Sequence, residues 1–416
     1  MPVIMIVIDN YANFKDKTAN KHEPDIVRIS REGLSYGIYL MISSAGFGIS
    51  EIPNKIGDNM KYVICLEMGD KYKYAEIFKG KRATVLPESG VKGRGLAQVD
   101  DRLLEFQTAL AVDAPDDYKR GDIIRAVCNN MSKAWKGTKA RAIPVIPHDP
   151  TLSDLRAHDG YDAASKSTSL LPYAYMLSDA SVYSVDLRYS YCYTILGKQH
   201  TGKTNILRLL MDAAFAKNGN IAVFEKSTQL LRQTAAKYNA RYIDNDKGLY
   251  EYLKNDLSVE FVKRNKMKHG LLEKGMTEDE IFAVMSKEKP VFIFIDNFAE
   301  FIRSAAHPEE GAGEMAGMLN NLFAKGSLHN IYFFACVNTD DYGAISTYPM
   351  YRSFVQYKCG ILLGGNINSQ RVFTFQNISF NEMSKSMKRG IGLTPSYEDE
   401  SAAVKVIIPL VGREDL

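Results

Sequence analysis

The chain has 416 residues, 45% of them hydrophobic and 24% charged, with a net charge of +3. That length allows two or three ordinary domains, and the balance is that of a globular chain with large cores. Near neutrality argues against a protein that tracks along nucleic acid, which carries a clear basic excess.

In chain order, the first strong element is IVIDNYANF (Ile6 to Phe14), an apolar strand closed by Asp9 and Asn10. A helical stretch, DIVRISREG (Asp25 to Gly33), leads to the strand YGIYLMISS (Tyr36 to Ser44). YVICLEMGD (Tyr62 to Asp70), GVKGRGL (Gly90 to Leu96) and the strand LLEFQTALAV (Leu103 to Val112) follow. YKRGDIIRAVCNNMSKAWKG (Tyr118 to Gly137) reads as a closing helix packed through Trp135, and the proline-containing KARAIPVIPHDPTLSDL as a linker. A domain boundary is placed near Gly137, giving domains 1–137 and 138–416.

SVYSVDLRYSYCYTILG (Ser181 to Gly197) reads as paired strands leading into the second core. The charge-rich stretch VEFVKRNKMKHGLLEKG reads as a solvated helix face. KPVFIFID then forms an apolar run suited to a parallel strand buried on both faces. The helical EMAGMLNNLFAKG ends at Gly326, and the strand NIYFFACVN (Asn330 to Asn338) comes next. YKCGILLGG (Tyr357 to Gly365), SMKRGIGL (Ser386 to Leu393) and AVKVIIPLV close the series.

This second series repeats the first. IFIDNFAEF (Ile293 to Phe301) matches IVIDNYANF, with Asp9 and Asp296 separated by 287 residues; Ile38 matches Ile331 and Arg94 matches Arg389. Such spacing is far beyond solenoid periods and indicates duplication of a whole domain. The first copy lacks the long stretch that precedes the acid strand in the second, so the chain is expected to begin inside a domain, as a fragment would, with sheet edge and apolar surface exposed.

YTILGKQHTGKTNILRLL (Tyr193 to Leu210) carries the chemistry. Gly197, Gly202, Lys203 and Thr204 complete GxxxxGK[ST] between an apolar strand and a helix-forming run. Glycines let the loop Gly197, Lys198, Gln199, His200, Thr201 wrap phosphates with backbone N–H groups, and the helix start, through Asn205, adds its positive end. Lys203 neutralises β- and γ-phosphate charge; Thr204 and Asp296 hold Mg2+. ATP and Mg2+ are therefore the expected cofactors. A carboxylate usually follows the strand-end Asp to act on water, whereas here Asn297, and Asn10 in the first copy, hold that place and cannot act as a base near neutral pH. Glu300 is a weak substitute, so no catalytic residue is assigned and hydrolysis is expected to be slow or absent.

His200 reads as a solvated loop residue. Arg94 and Arg389 can face a phosphate or a neighbouring subunit, or simply anchor a loop. The cysteines Cys65, Cys128, Cys192, Cys336 and Cys359 form no CxxC pair and read as reduced, buried thiols of a cytosolic protein, without metal-ligand spacing. No run reaches the roughly 18 to 20 apolar residues of a membrane span, and Asp9 interrupts the first apolar run too early for a signal peptide.

ILGKQHTGKTNIL, FIFIDNFAEF, GIYLMISS, IPVIPHDP and the ending PLVGREDL together resemble the FtsK/SpoIIIE branch of additional-strand P-loop ATPases, and within it the type VII secretion ATPases of the EssC/EccC kind. The resemblance implies an α/β fold of tandem RecA-like P-loop domains with mainly parallel central sheets. The chain then corresponds to the end of a second ATPase domain followed by a whole third one. It also implies degenerate, regulatory nucleotide sites. The implied partners are other ATPase domains of the same protein, helical-hairpin export substrates recognised by C-terminal signals, and a hexameric machine tethered to the cytoplasmic side of the membrane through N-terminal regions. DNA-pumping members place a polar Gln-containing motif after the next strand and end in a winged helix. Here the strands end YLMISSA and FFACVNT and the chain stops soon after its last strand, so a sensor is expected to be missing and DNA translocation is disfavoured. An active motor ATPase or an FtsK-like DNA translocase is the alternative reading.

Overall fold

The computed structural model describes residues 3–46, 51–68, 70–78, 86–100, 102–137, 144–306, 312–376, 378–399 and 401–412. The start of the expected linker, 138–143, and the last four residues of PLVGREDL lie outside the described residues. The chain divides into two compact units, Met1–Lys139 and Ala140–Leu416.

In the first unit, β1 (Ile4–Ile8) and β2 (Ile38–Ile42) pair in parallel, and β3 (Ile64–Leu66), β4 (Arg94–Val99) and β5 (Arg102–Gln107) form a separate antiparallel sheet. The second unit contains β6 (Leu170–Met176), β7 (Val182–Asp186), β8 (Cys192–Gly197), β9 (Asn220–Phe224) and β10 (Arg241–Ile243). It continues with β11 (Val291–Ile295), β12 (Ile331–Asn338), β13 (Gly360–Leu363), β14 (Ile391–Pro395) and β15 (Ala403–Ile407). Its single sheet has the order β10-β9-β11-β12-β8-β13-β14-β15-β6-β7. From β10 to β13 the pairing is parallel; from β13 to β7 it is antiparallel. The sheet is thus mixed. β7 pairs with β6 and not with β8, so the stretch Ser181 to Gly197 supplies two strands to distant parts of the sheet rather than a local pair.

Strand periodicity explains why β11 and β12, inside the parallel part, are apolar throughout. Successive side chains on a strand point to opposite faces. Phe292 and Phe294 of β11, with Tyr332, Phe334 and Cys336 of β12, pack on Ile206, Leu207, Leu210 and Met211 of the helix Lys203–Ala216. Ile293, Ile295, Phe333, Ala335 and Val337 point the other way, onto Phe298, Phe301, Leu319 and Phe323. Apolar residues at every position are needed because both faces are covered.

The duplication is visible in the register. Ile4 pairs with Ile38 as Val291 pairs with Ile331, and the antiparallel ladder β3-β4-β5 repeats β13-β14-β15. Among the described residues the first unit has no counterpart of β6 to β10 or of the helix Lys203–Ala216. Its strands are correspondingly bare: Met5 is 63% and Met41 57% exposed, where Phe292 and Phe334 are fully buried.

Three expectations about side chains are corrected. The helix Asp117–Ala134 forms, but none of its residues is buried and Trp135 is 61% exposed, so it is not packed as a closing helix. Cys128, on that helix, is exposed. The charge-rich helix Ser258–Glu273 is not wholly solvated, because Arg264 is 1% exposed. Arg264 donates to the carbonyls of His329, Asn330 and Lys289 at 2.9, 2.8 and 2.6 Å, and its Nε lies 2.7 Å from Glu260. It ties the helix to the chain entering β11 and β12.

His329 beside it is also buried, its Nδ1 2.8 Å from the Gly326 carbonyl. Burial pushes its pKa down to about 4. The folded state therefore keeps the ring neutral where the unfolded chain protonates it near pH 6.5. Stability is fully present above pH 6.5 and is lost as pH falls towards 4, by about 3 kcal/mol from this group. Urea unfolding at pH 7 and pH 4.5 is expected to show that loss in the wild type and a smaller one in His329→Gln.

Candidate phosphate-binding loop and acid strand

Three strand ends build the site. β12 lies between β8, which carries the glycine-rich loop, and β11, which carries Asp296. An extra strand between the loop strand and the acid strand is the additional-strand arrangement. The close approach of β13 explains two glycines: a Cβ on Gly197 would lie 2.5 Å from the Leu363 carbonyl, and one on Gly364 2.5 Å from Thr201.

Gly202 has φ 98°, which an L side chain rarely adopts, and it caps the helix Lys203–Ala216 without any side-chain hydrogen bond. That helix has no acidic residue in its first turn, so its N-terminal donors and positive end are left for a ligand. Lys203 Nζ folds onto the carbonyls of Gly197 and Lys198 at 3.1 and 2.5 Å. Burial lowers its pKa, while Asp296, Asp341 and Asp340 pull the other way. Thr204 Oγ1 donates to Asp296 Oδ1 at 3.0 Å. Burial, reinforced by the charge of Glu225, raises the Asp296 carboxyl above its ordinary value. A partly desolvated ammonium, a carboxylate short of countercharge and an uncapped helix start together fit a phosphate group with a divalent cation.

The remaining expected residues separate. Lys198, Gln199 and His200 are exposed, with His200 at φ 60°. Thr201 Oγ1 caps the loop on the Lys198 carbonyl at 2.9 Å. Asn205 turns its side chain to Pro409 and Val411 instead, at 2.8 and 3.0 Å, so only its backbone belongs to the helix start. Asn297 Oδ1 accepts from the amides of Ala299 and Glu300 at 3.1 and 3.2 Å, which makes it the N-cap of the helix Phe298–Ala306. Asn10 caps the helix Tyr11–Lys17 in the same way through the Asn13 amide, and Ser43 donates to Asp9 at 2.5 Å. An asparagine after the aspartate is therefore explained by helix capping. Glu300 accepts from Ser227 Oγ. Arg94 stands 3.6 Å from Glu105 across the β4–β5 ladder, and Arg389 is exposed.

Two features escaped the sequence reading. Asn338, at the end of β12, pairs in register with Gly197 and donates to Asp341 at 3.1 Å. A polar side chain does stand beside the loop where a sensor was expected to be missing. Glu225, one residue past β9, is 1% exposed and faces the same site; FEKST contains no motif that would have flagged it. A groove of about 700 Å3 bordered by Asn220, Arg241, Lys263 and Val291 opens at the opposite ends of β9 and β11 and is not part of this site.

The fold and the loop are those of additional-strand P-loop ATPases of the FtsK type. Within that class the chain is related to the type VII secretion ATPases EssC and EccC. It is 24% identical over 308 residues to the type VII secretion system protein EssC of Staphylococcus aureus, an alignment covering 71% of this chain and 20% of that protein. The chain thus spans about a fifth of the length of that relative. ATPases 2 and 3 of EssC from Geobacillus thermodenitrificans superpose with a TM-score of 0.70 at 17% identity, over 99% of this chain and 72% of that one. ATPases 2 and 3 of Thermomonospora curvata EccC, solved in complex with a signal sequence peptide, give 0.52 at 17% identity over 98% and 68%. No protein-family model matches.

Proposed function

We propose that the second unit is a complete ATPase-type domain that binds Mg·ATP in the loop Gly197–Asn205 and turns it over slowly, and that the first unit is the corresponding part of a second such domain. The loop amides and Lys203 hold the phosphates, and Thr204 with Asp296 hold Mg2+, which supplies neutralisation of phosphate charge. The observation that carries slow turnover is Asn297: its amide oxygen is engaged by two backbone N–H groups, and it offers no base to a water. ATP then acts as a structural ligand that stabilises the domain by mass action.

In the same reading the chain is a regulatory, substrate-receiving module of a type VII secretion machine on the cytoplasmic side of the membrane. It works with other ATPase domains of its polypeptide in a hexamer and receives export substrates through C-terminal signals. The signal peptide bound to the Thermomonospora curvata relative supports this role. No helix among the described residues is long and apolar enough to cross a membrane, so attachment would come from other parts of the machine.

A second reading, an active motor, is favoured by the polar Asn338 beside Gly197. Asn297→Glu separates the two. It restores a carboxylate, and phosphate release is expected to rise on the order of 100-fold, at a cost of about 1 kcal/mol in helix capping. A wild-type chain already turning over as fast as the variant contradicts the regulatory reading.

A further inference from the structure

The loop 226–231 follows β9 and touches the elements surrounding Asp296. Lys226 Nζ lies 2.9 Å from the Asp246 carboxylate, Ser227 donates to Glu300, and the Leu230 carbonyl accepts from Arg208 at 2.7 Å. These contacts fix the loop from three helices. At its centre Thr228 Oγ1 stands 2.5 Å from Glu225 Oε1 and 3.2 Å from Asp296 Oδ2.

Glu225 is the fixed partner of this pair. Its Oε1 also accepts from the Leu230 amide at 2.6 Å, and its Oε2 from the Leu231 amide and the Tyr242 hydroxyl, both at 2.9 Å. Both of its oxygens accept, so the carboxylate is fixed from several sides. Asp296 has no backbone donor on its carboxylate among the described bonds. It is held by two hydroxyls, Thr204 on Oδ1 and Thr228 on Oδ2. A hydroxyl has one proton to give, so Thr228 serves one carboxylate and presents a lone pair to the other. The Leu230 and Leu231 amides and the Tyr242 hydroxyl already serve Glu225, so the Thr228 proton can be turned to Asp296 Oδ2 and hold that carboxylate.

We propose that Thr228, anchored by Glu225, is a positioning residue that holds the Asp296 carboxylate in the orientation required by the magnesium ion of the bound nucleotide. This rests on the nucleotide-binding reading and adds to it a residue outside the glycine-rich loop and the acid strand. Nucleotide phosphates remain the business of Lys203 and the loop amides, so Thr228 governs the metal and not the affinity for metal-free ATP.

The test is a Mg2+ titration of labelled-ATP retention by wild type, Thr228→Val and Thr228→Ser, with ATP binding in EDTA measured alongside. Thr228 is exposed, and unchanged melting without nucleotide checks that each variant folds. Thr228→Val is expected to raise the Mg2+ midpoint about tenfold, the value of one hydrogen bond to a charged group. Binding in EDTA stays unchanged, and Thr228→Ser returns the midpoint to within about twofold. The proposal is overturned if the valine variant titrates like the wild type, if serine is as impaired as valine, or if the loss persists in EDTA. A wild-type chain that retains no ATP at any Mg2+ concentration overturns the nucleotide-binding reading itself, and this proposal with it.

Discussion

Replacing Lys203 with alanine is expected to abolish nucleotide retention. The ammonium rests on two loop carbonyls, partly desolvated and with its pKa lowered by burial. A phosphate gives that charge an anionic partner, and a charge-assisted contact in such a site is worth several times a surface ion pair. The loss of affinity is expected to be at least on the order of 100-fold. At ATP about 100-fold above the wild-type Kd, ligand linkage adds about 2.7 kcal/mol, which for a domain of this size raises the melting temperature by roughly 5–10 °C. The Lys203→Ala chain should melt at the same temperature with and without Mg·ATP. Differential scanning fluorimetry in both conditions measures this, and a variant still stabilised by ATP would show that the phosphates sit elsewhere.

The second large effect concerns stability. Arg264→Ala removes a buried guanidinium that satisfies three backbone carbonyls and Glu260. Breaking such a buried charged network by deleting one partner costs about 3–5 kcal/mol, because desolvated acceptors are left unpaired. The melting temperature should fall by on the order of 10 °C. Lys at this position is not a conservative replacement, since one ammonium cannot reach carbonyls spread over the guanidinium plane. Thermal melts of Arg264→Ala and Arg264→Lys are expected to show both lowered, with alanine the worse. A change within about 1 kcal/mol would mean that water replaces the guanidinium.

What could be read from the sequence followed from periodicity and fixed spacing. IFID and FFACV are apolar at every position because β11 and β12 are covered on both faces, and a glycine-rich loop between strand and helix announces itself. Strand ends were read too long. Leu103 to Val112 was expected to be extended, but β5 stops at Gln107, because apolar residues continue past the last ladder partner. Asn338 was missed for a different reason. Its place depends on a strand from 141 residues later in the chain slotting beside Gly197, and no local pattern encodes that register. Glu225 and Arg264 look like ordinary charged residues until the fold buries them. Trp135 shows the reverse error: a large aromatic residue just past the end of a helix was given a core, whereas no residue of that helix is buried.

The most direct measurement incubates the purified chain with labelled Mg·ATP, removes free nucleotide and identifies what remains bound. Retained, intact ATP is the expected result and would match a capped, base-free Asn297 beside a complete phosphate loop. Retained ADP with released phosphate would contradict it and make the second unit a working ATPase.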